Sequence, residues 1–308
     1  MATYTFDEIT AKIIAVGGKA SKINWLVNEA GYNRVDAEST YRLIMMLHPE
    51  ANVPASRRFR VQHFTVGVEL ECVNVNRDAV RLACAARGIA TRDDYHNYNH
   101  CDSADTYKLM SDSSLHGDGD DVYDTCEIVT PVLNDLSSLK TVCEVLNAAG
   151  CKVNKSCGLH VHFGASRFTD AQWRRIVCNY GRIERIIDGF MPVSRRGNNS
   201  QWCDSIVEQA LRVEARPGIT RESIKYEIGG RYHKVNLEAY SRHQTIEFRQ
   251  HSGTINFEKI ENWVNFLAGL LSYSIQNEAL IEANTVEDLP FLTRAQKDFF
   301  KARTEALA

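Results

Sequence analysis

The chain has 308 residues, 44% of them hydrophobic and 24% charged, with a formal net charge of -3. That is ordinary globular composition, long enough for one large domain and one small one, and it provides no global basic field for nucleic acid. Nine cysteines are scattered without a Cys-x-x-Cys pair, no apolar run reaches membrane-spanning length, and the N-terminus lacks signal-peptide character, so the expectation is a reduced, cytoplasmic protein with no membrane partner.

Residues 1–50 read as a small helical unit. Phe6, Ile9, Ile13 and Ile14 fit one helix face that ends at Gly17-Gly18. Ser21 is placed to cap a second helix carrying Ile23, Trp25, Leu26 and Ala30 and stopping at Gly31, and Leu43 to Leu47 close a third. The segment from Ser21 to Arg34 resembles the opening of small helix-turn-helix modules. That leaves two uses for the unit: nucleic-acid contact, or a helical hairpin that packs or forms a homo-oligomer. The proline-containing stretch His48 to Arg58 is expected to be a linker, so a second domain spans 58–308.

In that domain, residues 78–90, 136–149, 169–187 and 258–276 carry helical apolar periodicity. Residues 112–121 form a polar turn region. Its acidic run lacks the spacing of a calcium loop. Strands mixed with helices at hairpin-like spacing predict an α+β fold built on a mostly antiparallel sheet.

Three strands share an unusual pattern: Val68-Glu-Leu-Glu-Cys72, Leu159-His-Val-His-Phe163 and Ile246-Glu-Phe-Arg249. Alternate side chains of a strand share a face. One face is therefore apolar, and the other carries Glu69, Glu71, His160, His162, Glu247 and Arg249. Carboxylates crowded together call for a cation between them. Oxygen donors with an imidazole and no thiolate suit Mg²⁺ or Mn²⁺ better than Zn²⁺, and an arginine suits phosphate. No phosphate-binding P-loop and no dinucleotide-binding Gly-x-Gly-x-x-Gly turn occurs, so any ATP would bind on the sheet.

Six motifs follow one another in order: Gly67-Val-Glu-Leu-Glu71, Asp112-Ser-Ser-Leu, Glu127-Ile-Val-Thr-Pro, Cys157-Gly-Leu-His-Val-His162, Tyr232-His-Lys-Val-Asn236 and Thr245-Ile-Glu-Phe-Arg-Gln-His-Ser-Gly-Thr254. The set resembles the amidoligase family, carboxylate–amine ligases grouped with glutamine synthetase and glutamate–cysteine ligase. The resemblance covers roughly residues 60–275. It implies a curved antiparallel sheet, a glutamine synthetase-like half-barrel flanked by helices, with ATP and metal on its concave face. It also implies roles. Glu71 and Glu127 would hold one metal, and Glu69, His160 and Glu247 another nearer the ATP γ-phosphate. His162 would contact nucleotide phosphate, with Asp112 and Ser114 as further cofactor-binding residues. Arg249, beside Glu247, would meet the transferring phosphoryl group. The substrates implied are a carboxylate and an amine, on small molecules or peptides. The stretch from Asp118 to Tyr123 lengthens the turn before Glu127 relative to the family pattern.

Three rival readings compete with this one. Cys157 with a histidine would make a cysteine hydrolase. His160, His162 and one glutamate would make a zinc hydrolase. The N-terminal helices would make a DNA-binding regulator. Substrate specificity is expected in the stretches 91–108 and 192–231.

Overall fold

The computed structural model describes residues 4–15, 19–47, 64–94, 105–117 and 125–308, and the chain divides into two units, Met1–Arg60 and Val61–Ala308. The expected linker and the stretch from Asp118 to Tyr123 lie outside the described residues.

The first unit holds three helices, α1 (Phe6–Ala15), α2 (Lys19–Asn28) and α3 (Arg34–Leu47). Their apolar faces meet in one core of Ile9, Ile13, Ile23, Leu26, Ala37 and Ile44, against which Tyr4 and Trp25 pack with ring centres 5.4 Å apart. Thr5 and Glu8 close a reciprocal capping arrangement at the start of α1, and the Asp36 amide donates to Asn33 Oδ1 at the start of α3. Ser21 sits inside α2 rather than before it, so it is not the cap expected from sequence. Gly31, at φ +77, turns the chain between α2 and α3. Over residues 1–47, Lys12, Lys19, Lys22, Arg34 and Arg42 are balanced by Asp7, Glu8, Glu29, Asp36 and Glu38, while Arg57, Arg58 and Arg60 against Glu50 leave Met1–Arg60 with a small basic excess.

The second unit is built on a seven-stranded open sheet: β1 (Val66–Val73), β2 (Thr91–Asp93), β3 (Tyr107–Met110), β4 (Thr125–Val129), β5 (Gly158–Gly164), β6 (Val235–Asn236) and β7 (Thr245–Ser252). Their spatial order is β2-β3-β4-β1-β5-β7-β6, and every pairing except β2 with β3 is antiparallel. The fold is α+β, as the motif spacing implies. Flanking helices are α4 (Arg77–Ala85), α5 (Ser137–Ala148), α6 (Asp170–Gly189), α7 (Val207–Glu214), α8 (Arg221–Ile228), α9 (Ala239–His243), α10 (Phe257–Gln276) and α11 (Arg294–Ala306).

Alternation along the central strands does what the sequence demands. Val68, Leu70, Leu159, Val161, Phe163, Ile246 and Phe248 are buried. Phe248 packs on Phe163 and on Tyr180 of α6, with ring centres 6.1 and 5.5 Å away. Each such side chain contributes about 1.5–3 kcal/mol of burial free energy. The long helices start where their caps dictate: Thr169 and Gln172 form a capping box before α6, and Asn256 accepts from the Lys259 amide before α10.

One irregularity matters. Leu159 pairs with His251 but Val161 pairs with Phe248, so β7 carries an extra residue at that point, a β-bulge. Simple alternation from Glu247 and Arg249 would place His251 on their face. The bulge turns it instead against Trp263 of α10, ring centres 5.5 Å apart. Burial there drives the imidazole down to about 3, so it is neutral.

A buried polar network ties α6 to the strands beside it. Fully buried Lys234 places Nζ 2.8 Å from Glu184 Oε1 and 2.8 Å from Asp188 Oδ1. Gln250 Nε2 donates to Asp188 Oδ1 at 2.6 Å, and the Tyr180 hydroxyl donates to Gln250 Oε1 at 2.5 Å. The other oxygens of the two acids accept the Ile206 and Gly197 amides at 3.0 and 2.9 Å. The network thereby anchors both ends of the segment 197–206.

Candidate active site

Register alone assembles the polar face. Glu71 lies opposite Glu127, Glu69 opposite His160, and His162 opposite Glu247. Directly opposed residues have Cβ atoms roughly 4.5–5.5 Å apart, so their side chains must meet. His160 Nδ1 is 3.0 Å from Glu69 Oε2 and 3.7 Å from Glu247 Oε1, while its Nε2 is 3.6 Å from Glu71 Oε1. Two donor groups result, each with its ligand atoms within 4.8 Å of one another: Glu69, His160 and Glu247, and Glu71, Glu127 and His160. His162 belongs to neither group.

Local interactions orient the Glu71 and Glu247 carboxylates. The Gly158 amide donates to Glu71 Oε2 at 2.5 Å. Asn236 Nδ2 donates to Glu247 Oε2 and Arg249 Nη1 donates to Glu247 Oε1, both at 2.5 Å. His162 Nδ1 lies 3.0 Å from Thr245 Oγ1. Gly158 leaves room for this convergence: a Cβ there would lie 2.8 Å from His160 Nε2 and 3.3 Å from Glu71 Oε2.

The electrostatics follow from burial and neighbours. Burial works to raise the Glu69 carboxyl, but the His162 and His160 imidazoles outweigh it and hold the group well below the usual carboxylate range. Burial likewise opposes ionisation of Glu247, and Arg249 and His162 overcome it. Glu127 has no such relief. Burial first, then the charges of Glu69, Glu71 and Asp112, push its carboxyl well above the usual range.

The donor set fits divalent metal ions. Glu127 is a buried carboxylate surrounded by acids, with no cationic partner among the described residues. His162 Nε2 lies 3.1 Å from Glu69 Oε1 but out of line for a hydrogen bond. A hard cation among these oxygens would relieve the crowding around Glu127, and carboxylates joined by an imidazole are donors of the kind Mg²⁺ or Mn²⁺ takes.

A cleft of about 350 Å³ opens over this face, lined by Glu71, His160 and Arg249, by the hydroxyl-rich wall Ser111 to Ser114 with Ser156, and by Arg195, Trp202, Arg231 and Tyr232. Asp112 and Ser114 thus border the cleft, and the Ser114 amide donates to Asp112 Oδ1 at 2.7 Å. Trp202 and Tyr232 meet edge to face at 5.2 Å, and Arg249 Nε reaches the Trp202 carbonyl at 3.4 Å. Another recess, of about 530 Å³ beside Arg182 and Asp288, holds none of these groups.

Sequence reasoning missed Arg195, Thr245 and the part played by Asn236. Asn236 falls inside a quoted motif but carries no charge to mark it. Of the two stretches expected to bear specificity, 192–231 supplies Arg195, Trp202 and Arg231 to the cleft, and residues 95–104 lie outside the described residues.

Cys157 does not face this chemistry. Its side chain packs with Val73 and Leu115, and burial pushes the thiol up, away from the reactive thiolate. Cys157→Ala should therefore keep turnover within about threefold of wild type, whereas loss of a nucleophile costs orders of magnitude. Steady-state rates of the purified variant decide this, and near-complete inactivation of a folded variant would restore the cysteine-hydrolase reading.

Residues 62–271, more than half of the chain, match the sequence signature of the family described as putative amidoligase enzyme. The chain belongs to this family, whose description is that of a ligase forming amide bonds. No curated protein matches it. Among the described residues, no helix is long and apolar enough to cross a membrane.

Proposed function

We propose that the protein is an ATP-dependent carboxylate–amine ligase, working in the cytoplasm on carboxylate- and amine-bearing small molecules or peptides. The observation that carries this is the pair of largely buried donor groups sharing His160, with Arg249 held against one of them, in a chain of amidoligase membership. Glu69, His160 and Glu247 would hold one divalent ion, and Glu71 and Glu127 a second. Bound there, Mg²⁺ or Mn²⁺ supplies charge neutralisation to a polyphosphate. The open sheet is then the counterpart of a glutamine synthetase-like half-barrel.

The chemistry assigned is acyl activation. A carboxylate is a poor acyl donor because oxide is a poor leaving group. Its oxygen attacks the γ-phosphorus of ATP, ADP leaves, and an acyl phosphate forms. The amine nitrogen attacks the acyl carbon, phosphate leaves, and the nitrogen loses a proton to give the amide. Arg249 lies beside Glu247 and donates to the transferring phosphoryl oxygens, His162 contacts a nucleotide phosphate, and Asp112 and Ser114 bind at the cleft wall. Glu247 holds Arg249 in place. The protein contributes no covalent nucleophile.

Two measurements test this. Calorimetry should show ATP binding that Mg²⁺ strengthens by about tenfold or more, because the acidic face repels bare polyphosphate. A screen of paired carboxylates and amines should find ADP release that needs both partners. ATP affinity unchanged by chelator, or amide cleavage without ATP, would sink the ligase reading.

A further inference from the structure

Arg195 ends the tight turn Val193–Arg195, in the segment that leads from α6 to α7. It is 5% exposed and lines the same cleft as Glu71, His160 and Arg249. Gly158 leaves room for it over the cleft floor: a Cβ on that residue would be 3.4 Å from Arg195 Nη1, 3.3 Å from Glu71 Oε2 and 2.8 Å from His160 Nε2. Arg195 Nη2 donates to the Cys157 carbonyl at 2.7 Å, and Nη1 lies 3.9 Å from Cys203 Sγ. Both partners are uncharged. Among the described residues Arg195 enters no ion pair, although every other buried basic group described at the cleft does. Arg249 is paired with Glu247 at 2.5 Å. Arg231, at the rim, is exposed to water.

A guanidinium never deprotonates, and burying one without an anion is unfavourable. Among the described residues the cleft therefore contains one buried guanidinium with no carboxylate in direct ion-pair contact, and it is Arg195 rather than Arg249. We infer that Arg195 is an anion-binding residue of the cleft, whose planar fork takes two oxygens of a phosphoryl or carboxylate group of the bound substrates. The backbone supports the placement. The segment following Arg195 is tied down through the Gly197 and Ile206 amides to Asp188 and Glu184, and these acids are held by Lys234. The guanidinium is thus presented from a fixed loop rather than a free one. The identity of the anion rests on the ligase reading, but the anion site itself does not.

The test uses the full chain with Arg195→Met and Arg195→Lys, titrated calorimetrically with three probes: MgATP, inorganic phosphate and glutarate. Arg195→Met should weaken binding of the recognised oxyanion by about tenfold or more, and Arg195→Lys, which keeps charge but loses the fork, by less. Loss confined to MgATP and phosphate assigns the anion to a phosphoryl group. Loss confined to glutarate assigns it to the substrate carboxylate. Unchanged affinity for all three probes in both folded variants overturns the assignment, as does wild-type protein that binds none of them. Should the methionine variant unfold, the lysine variant alone carries the comparison. Wild-type protein that binds phosphate or glutarate but not MgATP would defeat the ligase reading while leaving the Arg195 site standing.

Discussion

His160→Asn should abolish the ADP release that the correct carboxylate and amine elicit, by about 10²–10³-fold or more. The imidazole is the one side chain common to both donor groups, so its loss damages both at once. Asparagine is too short to reach Glu69 and Glu71 together. The fold should survive, because β5 is held by backbone pairing to β1 and β7 and by the apolar side chains on its other face. Circular dichroism of the variant should match wild type. Glu127→Gln provides the contrasting readout: it removes a carboxylate that burial and acidic neighbours disfavour, so the metal-free protein should gain stability. Each 1 kcal/mol relieved raises Tm by about 2–4 °C. The sign agrees with the direction of the shift. A raised carboxyl contributes stability in the acid range, below its unfolded value, and loses it as pH rises through the folded value. The Glu127→Gln gain should therefore grow from acid toward neutral pH. A His160→Asn protein that still turned over at near wild-type rate would remove the metal-assisted reading of this face.

Lys234→Met should be the most destabilising single substitution outside the apolar core. The ammonium is fully buried between Glu184 and Asp188, and its removal strands two carboxylates in a region of low polarity. Breaking a buried pair by removing one partner costs about 3–5 kcal/mol, so Tm should fall by roughly 6–20 °C. Combining Lys234→Met with Glu184→Gln and Asp188→Asn should recover much of that loss, since no unpaired charge remains. Thermal melts of the single and triple variants measure both effects. A single variant that melts with wild type would show that the network adds nothing to stability.

The polar face was legible because it rests on strand alternation, which needs no tertiary information. The parity of Glu69 and Glu71, of His160 and His162, and of Glu247 and Arg249 fixed which side chains share a face. Which of them touch was not legible, because register depends on pairing partners far apart in the chain. Glu127 stood out only through its place in an ordered set of motifs. One glutamate in Thr125–Val129 has no alternation of its own to mark it. Arg195, and the role of Lys234 within its quoted motif, were missed for another reason. Lysine and arginine in short polar segments read as solvated, and only burial distinguishes these two. The bulge in β7 defeats alternation outright: His251 has the parity of the site and the environment of the core. The short helices α7, α8 and α9, of 8, 8 and 5 residues, give too few turns for periodicity to register.

The two nitrogens of His160 look toward different carboxylates, Nδ1 toward Glu69 and Glu247 and Nε2 toward Glu71. A neutral imidazole has one lone pair and one N–H. It can ligate a cation through one nitrogen while the other donates, but it cannot serve two cations at once. The tautomer therefore acts as an arbiter. An ion taken through Nδ1 leaves Nε2–H to donate to Glu71, and the neighbouring ion is then held by oxygen alone. An ion taken through Nε2 imposes the mirror arrangement on Glu69. Were two ions bound, sharing one ring would make them inequivalent: one would have a nitrogen anchor, and the other would be held by oxygen alone. On the proposed function, the ion without the nitrogen anchor would be the one suited to arrive and leave with a polyphosphate.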